Sequence, residues 1–79
     1  MKNVYEFLLD RKGAKLLAKF ESEGMEKESR ELRSWLVSLL SKYPNAQAGD
    51  VVCCSANPVD ASFMFKHDVS QVLTLEWIA

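Results

Sequence analysis

Residues 72–78 read Val72-Leu73-Thr74-Leu75-Glu76-Trp77-Ile78. The fold class turns on how this stretch is read. Leu73, Leu75 and Trp77 fall at every second position, with Thr74 and Glu76 between them. A period of two places the first set on one face of a strand and the second on the other. The same residues also admit a helix. Asp68 and Gln71 stand three apart, as in a capping box, and Val69, Val72, Leu73 and Trp77 would then share a helical face. The β-branched and aromatic content favours the strand. The helical alternative would make the whole chain all-α.

Upstream, residues 51–55 (Val-Val-Cys-Cys-Ser) and 62–66 (Ser-Phe-Met-Phe-Lys) carry the same β-rich composition. Asn57-Pro58 and His67-Asp68 punctuate them with turn chemistry. Three short strands in an antiparallel meander follow. Asn57-Pro58-Val59-Asp60 offers a competing helix start. Residues 44–50, Pro-Asn-Ala-Gln-Ala-Gly-Asp, have the composition of a loop.

Ahead of that loop the period changes. Leu32, Trp35, Leu36, Leu39, Leu40 and Tyr43 recur at i, i+3, i+4, i+7, i+8 and i+11, one face of an α-helix over about residues 26–43. Met25 extends the stripe. Glu26 with Arg30, and Lys27 with Glu31, stand at ion-pair spacing on the opposite face. Acids at the start and Lys42 at the end suit the helix dipole, and Pro44 stops the helix. Nearer the N-terminus, Val4, Phe7 and Leu8 suggest a short amphipathic helix that Gly13 terminates. Residues 14–21 fit a strand through Ala14, Leu16, Ala18 and Phe20. They fit a helix better, because a strand would put Leu17 on the polar side and Ala, Leu and Lys favour helix. Ser22-Glu23-Gly24 turns the chain into the long helix. The reading is α+β: a helical N-terminal half whose long amphipathic helix packs on a small three-stranded antiparallel sheet, in one domain spanning residues 1–79.

Hydrophobic residues make up 48% of the chain and charged residues 27%, enough apolar material to support a core. The formal net charge is −1, which argues against a strongly basic nucleic-acid binder. The distribution is uneven. Residues 1–43 hold nine Lys/Arg and seven Asp/Glu, whereas residues 44–79 hold one Lys and four acids. Such a dipole favours oriented docking on a charged partner. The two cysteines, Cys53 and Cys54, are adjacent and poorly placed to bridge each other, which suggests a reducing compartment. With no long apolar run and no signal-peptide core after Met1-Lys2-Asn3, the chain reads as a complete cytoplasmic protein without membrane association.

No constellation for catalysis stands out. Cys54, His67 and Asp68 can be drawn as a nucleophile, base and orienting acid. Adjacent His67 and Asp68 on a strand would point apart, however, and a tight turn explains both. Two adjacent cysteines and one histidine fall short of a zinc set, so no cofactor or metal is expected. Asp50 and Asp60 flank the first strand as turn residues, and the three glycines form no phosphate-binding pattern. Two surfaces remain. Arg11, Lys15 and Lys19 share a helical face, with Lys12 beside them and Arg30 and Arg33 as additions. They form a basic stripe suited to phosphates or an acidic protein surface. Phe63, Phe65 and Trp35 read best as a core face, although a sheet covered on one side would expose part of the Phe63/Phe65 set, with Trp77 able to join it, and the edges of so short a sheet invite a partner strand or a second copy.

The expected function is therefore binding without catalysis: an inhibitor, adaptor or regulatory subunit of a larger complex. Accessory proteins of phages and mobile elements, including inhibitors of host defence, are often of this size. The alternative is a nucleic-acid-associated regulator using the basic stripe.

Overall fold

A computed structural model describes residues 5–77. The expected contributions of Val4 and Ile78 lie outside these. A short 3-10 helix, Glu6–Leu8, leads into α1 (Arg11–Ser22) and α2 (Glu26–Lys42). Three strands follow, β1 (Val51–Ala56), β2 (Asp60–Phe65) and β3 (Asp68–Glu76). They form an antiparallel meander in the order β1-β2-β3. The helices cover one face of this sheet, α1 over β1 and α2 over β3. The fold is α+β, and the all-α alternative is overturned.

The two competing helical starts in the C-terminal half fail for local reasons. The Asn57 carboxamide oxygen accepts the amides of Val59 and Asp60, both at 3.1 Å, and this Asx turn joins β1 to β2. The Asp68 carboxylate accepts the Ser70 amide at 3.1 Å and hydroxyl at 2.6 Å, but the chain from Asp68 runs on as β3, paired with β2, so no helix follows.

Gly13 does not end a helix. It lies in the first turn of α1, where its amide donates to the carboxylate of Asp10, the N-cap, at 2.8 Å. A side chain at this position would meet Asp10 Oδ1 and Leu9 Cδ2, each at 3.1 Å. Leu17 and Phe20 then bury on the face that Gly13 begins, and Leu17 is 2% exposed, as the helical reading of residues 14–21 requires. The helix ends at Gly24, whose φ of 69° is left-handed. There Met25 N–H reaches Phe20 O at 2.8 Å and Gly24 N–H reaches Glu21 O at 3.3 Å, a Schellman closure.

Along α2, Leu32, Leu36 and Leu39 are fully buried, and Trp35, Leu40 and Tyr43 pack partly buried beside them. Opposite them the sheet contributes Val51, Cys53, Ala61, Phe63, Phe65 and Leu75. Trp35 approaches Phe63 with ring centroids 6.5 Å apart, and Tyr43 approaches Phe65 at 4.8 Å. Of the two ion pairs expected on the outer face of α2, Lys27 with Glu31 forms at 4.0 Å; Glu26 with Arg30 does not. Trp77 sets its ring edge-on to Phe20 at 5.2 Å. Its indole N–H donates to Pro58 O at 2.6 Å, which ties the end of β3 to the β1–β2 turn.

Candidate partner-binding surfaces

The basic stripe lies on α1. Arg11, Lys12, Lys15 and Lys19 are all exposed, and none has a carboxylate within ion-pair distance among the described residues. Arg11 and Lys12 occupy the first helical turn, where the macrodipole disfavours cations. Arg30 is exposed on α2. Arg33 departs from the expectation. Its guanidinium pairs with Glu21 across the helix–helix contact and its Nε is buried, so this side chain holds α1 to α2.

A second cluster closes the corner between the α2–β1 loop and the β2–β3 turn. Asp50 is 7% exposed and accepts the Gln47 amide at 2.7 Å, and His67 Nε2 stands 3.0 Å from its Oδ2. The imidazole of His67 lies edge-on to Phe65, centroids 5.5 Å apart. Beside it the Tyr43 hydroxyl donates to Asp68 Oδ2 at 2.5 Å. This bond holds the Tyr43 phenol above its usual range, while the bonds from Ser70 and Tyr43 hold the Asp68 carboxyl below its own. Lys42, Pro44 and Gln47 join Tyr43, Phe65 and His67 around an open cavity of ≈ 500 Å³.

The partner of His67 is thus Asp50, seventeen residues upstream, while Asp68 is bound by Tyr43 and Ser70. Nor does Cys54 complete the arrangement. It is the extra residue in a β-bulge between Cys53 and Ser55, exposed, with its thiol directed to Val52 O at 3.9 Å. Val51 at the start of β1 pairs with Phe65, so the chain direction carries Cys54 away from the His67 turn. Cys53 faces the core, where burial, together with the charge of Asp10, pushes its thiol up and leaves it a weak nucleophile. Among the described residues, no three His, Cys, Asp or Glu side chains are placed to hold a metal ion.

The third surface is the side of the sheet away from the helices. Val52 pairs with Met64 and Met64 with Val72, forming one apolar row across all three strands. Val72 is 51% exposed. The next row is Ser55, Ser62 and Thr74, with Ser55 and Ser62 hydroxyls 3.1 Å apart. Asp60 stands opposite Glu76 at the end. Phe63 and Phe65 point the other way, into the core, as the favoured of their two readings has it. Trp77 is likewise held inward by Phe20 and Pro58.

The two sheet edges differ. That of β1 is closed at its start: Leu9 bridges Val51 in parallel, Asp10 N–H donates to Val51 O at 2.9 Å, and Asp10 Oδ2 accepts Cys53 N–H at 3.4 Å. The outer edge of β3 has no strand beside it among the described residues. No helix of the described residues is long and apolar enough to cross a membrane. No protein-family model, curated protein or solved structure matches the chain.

Proposed function

We propose that this chain is a protein-binding module that acts as an inhibitor, adaptor or regulatory subunit and takes its partner on the open side of its sheet. The observation behind this reading is the apolar row Val52–Met64–Val72, half-buried at Val52 and Met64 and exposed at Val72, beside a β3 edge that has no strand against it among the described residues. Apolar surface that a small domain leaves open, next to unused backbone donors and acceptors, is the usual material of an interface. Both cysteines are free thiols, which suits work in a reducing cytoplasm.

The test is an affinity capture of the tagged chain from its host lysate, with nuclease and high salt, beside the variant Val72→Lys. Val72 is half exposed, and its replacement leaves the core intact. A stoichiometric protein retained by the wild type and released by the variant is the expected result. Equal retention by both removes the open face from consideration.

A second reading rests on four cations of α1 that have no ion-pair partner among the described residues, two of them in a first turn that disfavours positive charge. They would serve an anionic partner, nucleic acid or an acidic protein surface. If nucleic acid is the partner, affinity falls steeply with salt, and Lys15→Glu with Lys19→Glu abolishes it. Unchanged function in that double variant rejects this reading.

A further inference from the structure

We infer that the outer edge of β3, from Val72 to Glu76, receives an extended segment of the partner protein bearing lysine or arginine, as a fourth strand. The inference rests on the protein-binding reading and goes further in naming the docking mode and the chemistry of the segment.

The first argument comes from the edge itself. Sheets usually guard an exposed edge with lysine, proline, a bulge or a covering segment. The β1 edge has both a bulge and the cover of Leu9 and Asp10. The β3 edge has an irregularity only near its start, where the register against β2 shifts between Met64 and Phe65. From Val72 to Glu76 the pairing with β2 is regular, and the residues, Val-Leu-Thr-Leu-Glu, include no lysine, arginine or proline. These five residues are a normal strand length, with backbone groups free for a neighbour.

Charge selects the occupant. Asp60 and Glu76 are directly opposite each other on the open face, and no cation pairs with either among the described residues. Like charges in that position repel. A basic side chain opposite Glu76 on a fourth strand would relieve this, and an apolar one opposite Val72 would extend the row from Val52. Both positions lie on the same face, four residues apart.

A second copy of β3 fits poorly. The antiparallel register that continues the apolar row places Val72 against Val72, and the stretch it brings opposite Glu76, residues 68–70, holds no lysine or arginine to answer that charge. Self-pairing would leave the facing Asp60 and Glu76 without a cation, in a half of the chain that has one Lys and four acids.

The experiment uses the isotope-labelled full chain at low salt, followed by amide NMR. One probe is a nine-residue peptide alternating threonine and valine with a lysine at each end; the other carries glutamate at the ends. The lysine peptide is expected to shift the amides of residues 72–76 and slow their exchange, leaving α1 unmoved. The glutamate peptide binds about tenfold more weakly, and Glu76→Lys reverses that preference. Equal binding of the two peptides, shifts confined to α1, or no protection of residues 72–76 at millimolar peptide overturns the inference. If Val72→Lys still releases a captured partner while residues 72–76 stay unprotected by the lysine peptide, strand addition fails and the protein-binding reading stands. If Val72→Lys releases nothing and neither peptide binds, both fail.

Discussion

Replacing Gly13 with alanine should destabilise this protein, against the usual trend for a glycine inside a helix. Relieving a helical glycine ordinarily gains about 0.5–1 kcal/mol. Here the new methyl group would lie 3.1 Å from Asp10 Oδ1 and 3.1 Å from Leu9 Cδ2. The Asp10 oxygen cannot retreat without lengthening its 2.8 Å bond to the Gly13 amide. Losing an N-cap costs about 1–2 kcal/mol. Leu9 is buried at the β1 edge, and pushing it off its rotamer costs about 0.5–1.5 kcal/mol more. The opposing terms leave a net loss of roughly 0.5–3 kcal/mol. Urea denaturation of four proteins, wild type, Gly13→Ala, Asp10→Ala and the double variant, separates the causes. With the Asp10 carboxylate already gone, Gly13→Ala should cost less than in the wild type, a coupling of about 1 kcal/mol in the cycle. If Gly13→Ala raises stability by the ordinary helical increment, the close approach is not what selects glycine and the argument is wrong.

Leu36 is fully buried in the α2 stripe, so Leu36→Ala should cost about 2–5 kcal/mol in the same assay, and a loss under about 0.5 kcal/mol would refute the packing of α2 on the sheet. Trp77→Phe keeps a ring beside Phe20 but removes the donor to Pro58 O; a loss near 1 kcal/mol is expected, and a Trp77→Phe variant as stable as the wild type would show that this bond contributes nothing. The Asp68 carboxyl is held below its ordinary 3.8, by Ser70 first and then Tyr43, so its contribution is present above that value and is lost as acid titrates the folded form. The Tyr43 phenol is held above its ordinary 10.0, so its contribution is present below that value and is lost at higher pH. In melting profiles across pH, Tyr43→Phe should remove the alkaline limb and only part of the acid limb; a profile unchanged from the wild type would dismiss the Tyr43–Asp68 bond. Alkylation of the native protein followed by peptide mass spectrometry should label exposed Cys54 well before buried Cys53, whose thiol is pushed up by burial.

What could be read from the sequence was whatever repeats within one element. The α2 stripe from Leu32 to Tyr43 spans about three turns, long enough for a 3.6-residue period to be unambiguous. The alternation of Leu73, Leu75 and Trp77 likewise placed β3, although the strand begins earlier than its pattern, at Asp68. Gly13 was misread because its reason for being glycine lies in the approach of Asp10 and Leu9, which appears only once the helix is built. Asp10 itself carried a usable signal, a capping residue directly before a helix former, but the glycine three places on concealed it. The His67–Asp50 contact joins residues seventeen apart with no local pattern between them. Arg33 gives a similar lesson. On the helical wheel it belonged to the charged face, and only the packing of α1 on α2 showed that Glu21 would claim it.

The contrast between the sheet edges was beyond any sequence pattern, because it depends on where the N-terminal segment returns. Leu9 and Asp10 cross 42 residues of chain to lie against β1 at Val51. The connection is parallel and short, and it uses the same Asp10 that caps α1. One carboxylate therefore starts the first helix with one oxygen and guards the first strand with the other. Nothing equivalent lies beside β3 among the described residues. Capping α1 and closing β1 are thus linked, so Asp10→Ala should loosen the β1 edge as well as the helix. Amide exchange of Cys53 is the direct readout. Faster exchange at Cys53 together with the first turn of α1 supports the shared role, whereas a change confined to the helix would mean that the 3.4 Å contact to Cys53 does not protect the edge.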